Sequence, residues 1–133
     1  MIIDTSAVMA ILQSEPEAGA FNQLLADMPS VAISAATLVE LGMVSESRAG
    51  SAAAEEVEAL IARADIAVIP FTAEHARIAR DGWRRFGKGR HPAALNLGDC
   101  FAYALAKARN EPLLFKGRDF SQTDVKAALP PHA

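Results

Sequence analysis

MIIDTSAV, residues 1–8, is the stretch whose reading decides the fold. Met1, Ile2 and Ile3 form an apolar run that ends on Asp4 and passes straight into Thr5, Ser6 and a helix-like pattern. A short apolar run closed by a capping residue reads as a buried strand turning directly into a helix N-terminus. In open parallel α/β sheets, the carboxyl end of such a strand is where ligands and chemistry gather. Asp4 therefore marks the edge at which other polar residues are to be sought.

Working outward, the pattern alternates. A strand over 1–4 leads to a short helix over Ser6–Leu12 and a second over Glu15–Met28, which Pro29 stops. Val31–Ser34 reads as strand two, with Ser34 as N-cap of an apolar helix to about Arg48. Another helix runs from Ser51 through Ala64, then strand three over Ile66–Pro70, and a helix opened by Thr72 through about Phe86. After the loop GKGRHPAALN come the most apolar helix, Leu97–Arg109, a strand at Leu113–Phe115, a turn or short helix at Ser121–Ala128, and a Pro-rich tail. Strands alternating with helices imply a parallel sheet covered by helices on both faces, with all strand ends on one side.

With 133 residues the chain fits one domain, 1–133. A single cysteine rules out an internal disulfide framework and fits a reducing compartment, so cytoplasm is expected. Every apolar run breaks before about 18 residues, which gives no sign of a membrane span. The net charge of −3 hides a division: residues 1–75 hold 11 acids against 2 bases, residues 76–133 hold 5 against 11. A basic half on a mildly acidic chain fits a phosphate-bearing ligand, or simply solvated helix faces.

Four acids stand out by their settings. Glu40 lies in AATLVELGMV without a cationic partner on its helix, and Asp99 opens DCFAYALA, where no charge recurs until Lys107. Asp119 follows the last strand as Asp4 follows the first. Each has an ordinary alternative: Asp4 as a cap, Asp99 in a macrodipole-stabilised first turn, Glu40 as a surface glutamate, Asp119 as a loop acid. Convergence on one sheet edge would make the carboxylates repel unless a hard divalent cation such as Mg²⁺ or Mn²⁺ joined them. Such an ion activates water and offsets charge on a phosphoryl oxygen, which is what phosphodiester hydrolysis requires.

Asp4-Thr5-Ser6 after strand one, Glu40 in its apolar helix, FGKGRHPAALNLGDCFAYALA and LLFKGRDFSQTDV together resemble the PIN-domain ribonucleases, and more closely the VapC toxins of bacterial toxin–antitoxin pairs. The resemblance spans essentially the whole chain. It implies a PIN-like three-layer α/β/α sandwich with a central, mostly parallel sheet of four to five strands. It also implies a Mg²⁺- or Mn²⁺-dependent endoribonuclease, a homodimer, and inhibition by a VapB-type antitoxin that places an arginine in the acid cluster. Carried over by position, Asp4, Glu40 and Asp99 match three catalytic, metal-holding acids, and Asp119 is assigned as the fourth. Many PIN domains carry an acid or Asn just before the DF pair, where this chain has Gly117 and Arg118. Thr5 and Ser6 resemble the family's supporting hydroxyls, and Asp124 reads as a local cap or indirect support.

The basic run Arg80, Arg84, Arg85, Lys88, Arg90 and His91 leads into the helix of Asp99. Arg84, Arg85, Lys88 and Arg90 are the expected RNA-phosphate contacts, against the alternative of a solvated face. Trp83 reads as packing or as a base-stacking platform. His91 has no visible orienting partner for a general-base role, His75 and His132 offer less, and Cys100 reads as an inert buried thiol. Gly82–Lys88 nearly spells a P-loop, but Gly89 takes the Ser/Thr position and a helix precedes it, which excludes nucleotide binding there. Two rivals remain. A haloacid-dehalogenase-like phosphatase shares the DTSAV start but has Ser6 where its second Asp belongs. A catalytically weak PIN-fold binding module would use the acids only to host a partner's arginine.

Overall fold

The structure is a computed structural model and describes residues 1–129; the Pro-rich tail and His132 lie outside the described residues. The elements run β1 (Ile2–Ile3), α1 (Thr5–Leu12), α2 (Ala18–Asp27), β2 (Val31–Ser34), α3 (Ala35–Ala49), α4 (Ala53–Arg63), β3 (Ile66–Ile69), α5 (Ala73–Phe86), α6 (Leu97–Arg109) and β4 (Leu113–Leu114). The strands form one parallel sheet in the order β3-β2-β1-β4, with Ile2 opposite both Ala32 and Leu113.

Period-two alternation in the strands divides the core between the two sheet faces. Ile3, Val31, Ile33 and Leu114 face a cluster that draws on α1–α4. Ile2, Ala32 and Leu113 face the other, with Ala79 of α5 and Tyr103, Leu105 and Ala106 of α6. This is the three-layer sandwich, with four paired strands and an extra single bridge from Leu113 to Ala127.

Each crossover starts with a side-chain cap. Asp4 caps α1, Ser34 caps α3, Thr72 caps α5 and Asn96 caps α6. Such a cap satisfies an orphan backbone N–H and contributes about 1 kcal/mol. The first three follow parallel strands, so the starts of α1, α3 and α5 crowd the carboxyl edge of the sheet.

Most element ends lie within one or two residues of expectation, and three differences have a visible cause. β1 stops at Ile3 because Asp4, still extended at φ −92°, is already the cap. α2 begins at Ala18 rather than Glu15, and Glu15 and Glu17 instead form ion pairs with Lys116. The helix or turn anticipated over Ser121–Ala128 is a 3₁₀ turn at Phe120–Gln122, followed by the Ala127 bridge. Thr123 accounts for the break, since its hydroxyl donates to the Phe120 carbonyl and accepts from the Val125 N–H. No helix among the described residues is long and apolar enough to cross a membrane.

Candidate active site

The sheet edge brings the four acids into one electrostatic group. Asp4 is 3% exposed; its Oδ2 accepts from the Ser6 N–H (3.0 Å) and the Ser6 hydroxyl (2.6 Å), while its Oδ1 is buried without a partner. Burial pushes this carboxyl up to about 7 despite the Ser6 hydrogen bonds, and the charges of Asp99 and Glu40 push the same way.

Glu40 comes from α3, and Thr5 of α1 donates its hydroxyl to Glu40 Oε1 at 2.6 Å. The other side of the carboxylate lies against the first turn of α6 at Gly98. A Cβ added there would stand 1.5 Å from Glu40 Oε2. Glycine leaves the room in which the Glu40 carboxylate holds this position.

Asp99 sits in that same turn. Its backbone N–H donates to Asn96 Oδ1 (2.8 Å) and its Oδ2 accepts from the Asn96 N–H (3.0 Å), a reciprocal capping box. Burial raises the Asp99 carboxyl to about 6 against the Asn96 hydrogen bond, with Asp119 and Glu40 adding their charge. Asp119 itself is exposed, beyond a turn in which Gly117 takes φ +101°. The Lys116 N–H donates to Ser6 Oγ (3.0 Å), which ties this turn to Asp4 through one hydroxyl.

Among the described residues, no three carboxylate, imidazole or thiol groups close on a common point as a finished ligand set. The group is oxygen-only and partly wet, which suits a hard cation that keeps several waters.

The basic residues are spread rather than gathered. Arg85 pairs with Asp81 (3.6 Å) and Asp124 (3.3 Å), and Arg90 stacks over the Trp83 ring at 4.3 Å. Arg84 and Lys88 are exposed. His91 Nδ1 accepts from the Ala93 N–H, so its ring serves the loop. Cys100 is buried, and burial pushes its thiol up to about 11, as expected of an inert thiol.

Sequence reasoning missed two arrangements. Asn96 had a signal, the N-x-x-D spacing before an apolar run. The cluster at Asp124 had none: it accepts from the buried Tyr103 hydroxyl (2.9 Å) and pairs with Arg85 and Lys107 (both 3.3 Å), across 17 to 39 residues of chain. Burial alone would raise Asp124, but the hydrogen bonds from Tyr103 and Lys107 and the charges of Lys107 and Arg85 bring it below its ordinary value.

The profile of the PIN domain matches residues 1–126. A Ribonuclease VapC of Mycolicibacterium smegmatis is 48% identical over 127 residues, covering 96% of this chain and 98% of its own length. Ribonuclease VapC28 of Mycobacterium tuberculosis is 45% identical over 130 residues, covering 97% and 98%. Among solved structures, Mycobacterium tuberculosis VapC20, a sarcin–ricin loop cleaving toxin, matches with a TM-score of 0.76 at 22% identity, covering 97% of this chain and 98% of that one. VapBC2 from Rickettsia felis, bound to a DNA fragment from its promoter, gives 0.72 at 20% identity, covering 95% and 94%. At such identities the solved structures speak for the fold.

Proposed function

This chain belongs to the PIN-domain family and stands among its VapC ribonucleases, and from that premise we propose that it is an endoribonuclease, the toxin of a VapBC-type toxin–antitoxin pair. The observation that carries this reading is the Asp4 carboxyl, buried with one oxygen unpartnered and pressed by the charges of Asp99 and Glu40. Carboxyls that resist ionising together become stable anions once a cation shares their space. Oxygen donors alone favour Mg²⁺ or Mn²⁺ over softer metals. Asp4, Glu40, Asp99 and Asp119 would hold it, directly or through water. When bound, such an ion supplies Lewis acidity that eases deprotonation of water and offsets charge on a phosphoryl oxygen.

The chain's own residues supply positioning. Ser6 fixes Asp4, and Thr5 fixes Glu40 against the α6 backbone, so neither carboxylate needs reorienting during reaction. Arg84, Lys88 and Arg90 offer charge for RNA phosphates, while Arg85 shares its charge with Asp124. The phosphatase alternative falls with the family assignment, and Ser6 is occupied in orienting Asp4.

The proposal extends to a VapB-type antitoxin whose arginine would complement the acid group, and to a homodimer. Val39 (64% exposed) and Met43 (69%), one turn apart on α3, support a partner face. Residues 1–133 are proposed as one domain, because both cores share one sheet, and the cytoplasm as the location.

Purified protein with Mn²⁺ or Mg²⁺ is expected to cleave bacterial RNA internally and, on expression, to arrest growth; Asp4→Asn removes both. No cleavage with either ion, or undiminished cleavage by Asp4→Asn, overturns the reading. Light scattering at micromolar concentration checks the dimer.

A further inference from the structure

Between α5 and the first turns of α6, which also carry Asp99, lies a cavity of about 480 Å³ walled by Phe71, Trp83, Leu97 and Phe101, with Arg80 and Lys88 as its charged lining groups. Resting on the ribonuclease reading, we infer that this cavity is a nucleotide subsite. It receives an unpaired base of the RNA strand beside the cleaved linkage, with a flanking phosphate at Arg80 and Lys88.

Continuity with the acids comes first. Asn96, Leu97 and Cys100 line the cavity, and Asp99 belongs to the same helical turn. Asn96 also closes the capping box on Asp99, so cavity and acid share one rigid piece of backbone. A base held here is a neighbour of the reacting phosphate.

The chemistry of the walls is the second point. The volume lies in the range of about 300–1,000 Å³ that small-molecule sites occupy. Phe71 and Phe101 pack edge to face at 5.3 Å, and the Trp83 ring, 40% exposed, is held by the Arg90 guanidinium over it at 4.3 Å. An aromatic surface already fixed in place loses little entropy when a base stacks on it.

Charge names the occupant. Both charged lining groups are cations, and neither has an ion pair among the described residues, whereas Arg85, Lys107 and Lys116 all do. The backbone holds Lys88 in place: its N–H donates to the Leu95 carbonyl and the Leu95 N–H to that of Phe86, closing the loop between the two helices. Two uncompensated cations around an aromatic cavity suit a base with its phosphate. A symmetric self-contact would bring like charges together instead.

Trp83 is the chain's single tryptophan, so its emission reports on the cavity directly. In EDTA, which prevents cleavage, a single-stranded hexaribonucleotide is expected to change Trp83 fluorescence saturably. Arg80→Gln and Lys88→Gln should each weaken binding about fivefold to tenfold. Arg63→Gln, an equal charge loss at the far end of α4, should leave it unchanged. In cleavage assays Trp83→Leu is expected to raise KM about tenfold with a smaller effect on kcat. RNA binding that leaves Trp83 emission unmoved and is indifferent to Arg80 and Lys88 overturns the inference. So does a Trp83 shift driven by protein concentration alone, which would mean that a second copy fills the cavity. If RNA quenches Trp83 but nothing is cleaved with either ion, the nuclease reading fails and the subsite stands. If RNA is cleaved with a KM indifferent to Trp83→Leu and Lys88→Gln, the reverse holds.

Discussion

Asp4 shows what burial does to a carboxyl placed in the proposed active site. Its carboxyl rises from 3.8 to about 7 through burial, so the folded protein without a cation holds a proton that the unfolded chain releases. Stability from this group is therefore complete below about pH 4 and declines as pH climbs through about 7. Asp4→Asn removes the buried charge and keeps an acceptor for Ser6, at the cost of an amide where Oδ1 now stands unpartnered. A net gain of about 1–3 kcal/mol at pH 8 is expected, read as a rise in melting temperature in EDTA, alongside loss of cleavage. A fall in melting temperature would contradict the account. Activity under the proposed mechanism has the opposite pH sign: Asp4 and Asp99, raised to about 7 and about 6, would have to lose protons before they could hold a cation. At limiting Mg²⁺, kcat/KM should climb up to about pH 7 and then level, with the rise moving to lower pH as Mg²⁺ increases. Gly98 carries a steric version of the same dependence. Gly98→Ala puts a methyl where the Glu40 carboxylate stands; the end of that side chain can swing aside, so little stability should be lost, but the carboxylate leaves the group and kcat should fall strongly, whereas Gly19→Ala, which meets nothing within 4 Å, should leave kcat unchanged.

Between elements, the Asp124 cluster fastens the segment that carries Asp119. One carboxylate joins α5 through Arg85 and α6 through Tyr103 and Lys107. Asp124→Ala releases all three, and faster amide hydrogen exchange over residues 116–126 together with weaker Mg²⁺ binding is expected. Unchanged exchange would mean that the buried Phe120 suffices to hold the segment. The same region explains what was legible in the sequence. Strands that close on or shortly before Asp4, Ser34 and Thr72 could be read because a cap is a local event, and local chemistry fixes where those helices begin. Glu40 and Asp99 were legible because a carboxylate inside an apolar helix needs a reason. The segment after β4 was not, since its shape depends on an arginine 39 residues away and on a bridge back to Leu113. Gly98 was equally hidden, because its role exists only once α3 and α6 meet.

Across the whole molecule, the division of charge along the chain becomes a division between layers. Most acidic residues up to 75 lie on α1–α4 and their loops, and eight of the eleven basic ones after it lie on α5, α6 and their connecting loop, on the opposite face of the sheet, while Lys116, beyond β4, reaches back to Glu15 and Glu17. Under the proposed ribonuclease reading, RNA approaching the carboxylate group would be repelled from one side and drawn to the other, so the field would orient the strand along α5. Phosphate contacts release counterions, and for single strands each contributes about 0.7 to the slope of log affinity against log salt. The contributions should be unequal. Arg84 has no ion pair among the described residues, whereas Arg85 is already neutralised by Asp81 and Asp124. Arg84→Gln is therefore expected to flatten the salt slope of RNA binding, measured in EDTA, by about 0.7, and Arg85→Gln by clearly less. Equal effects would show that RNA displaces Asp124 from Arg85, and a slope near zero in the parent protein would remove the basic layer from substrate binding altogether.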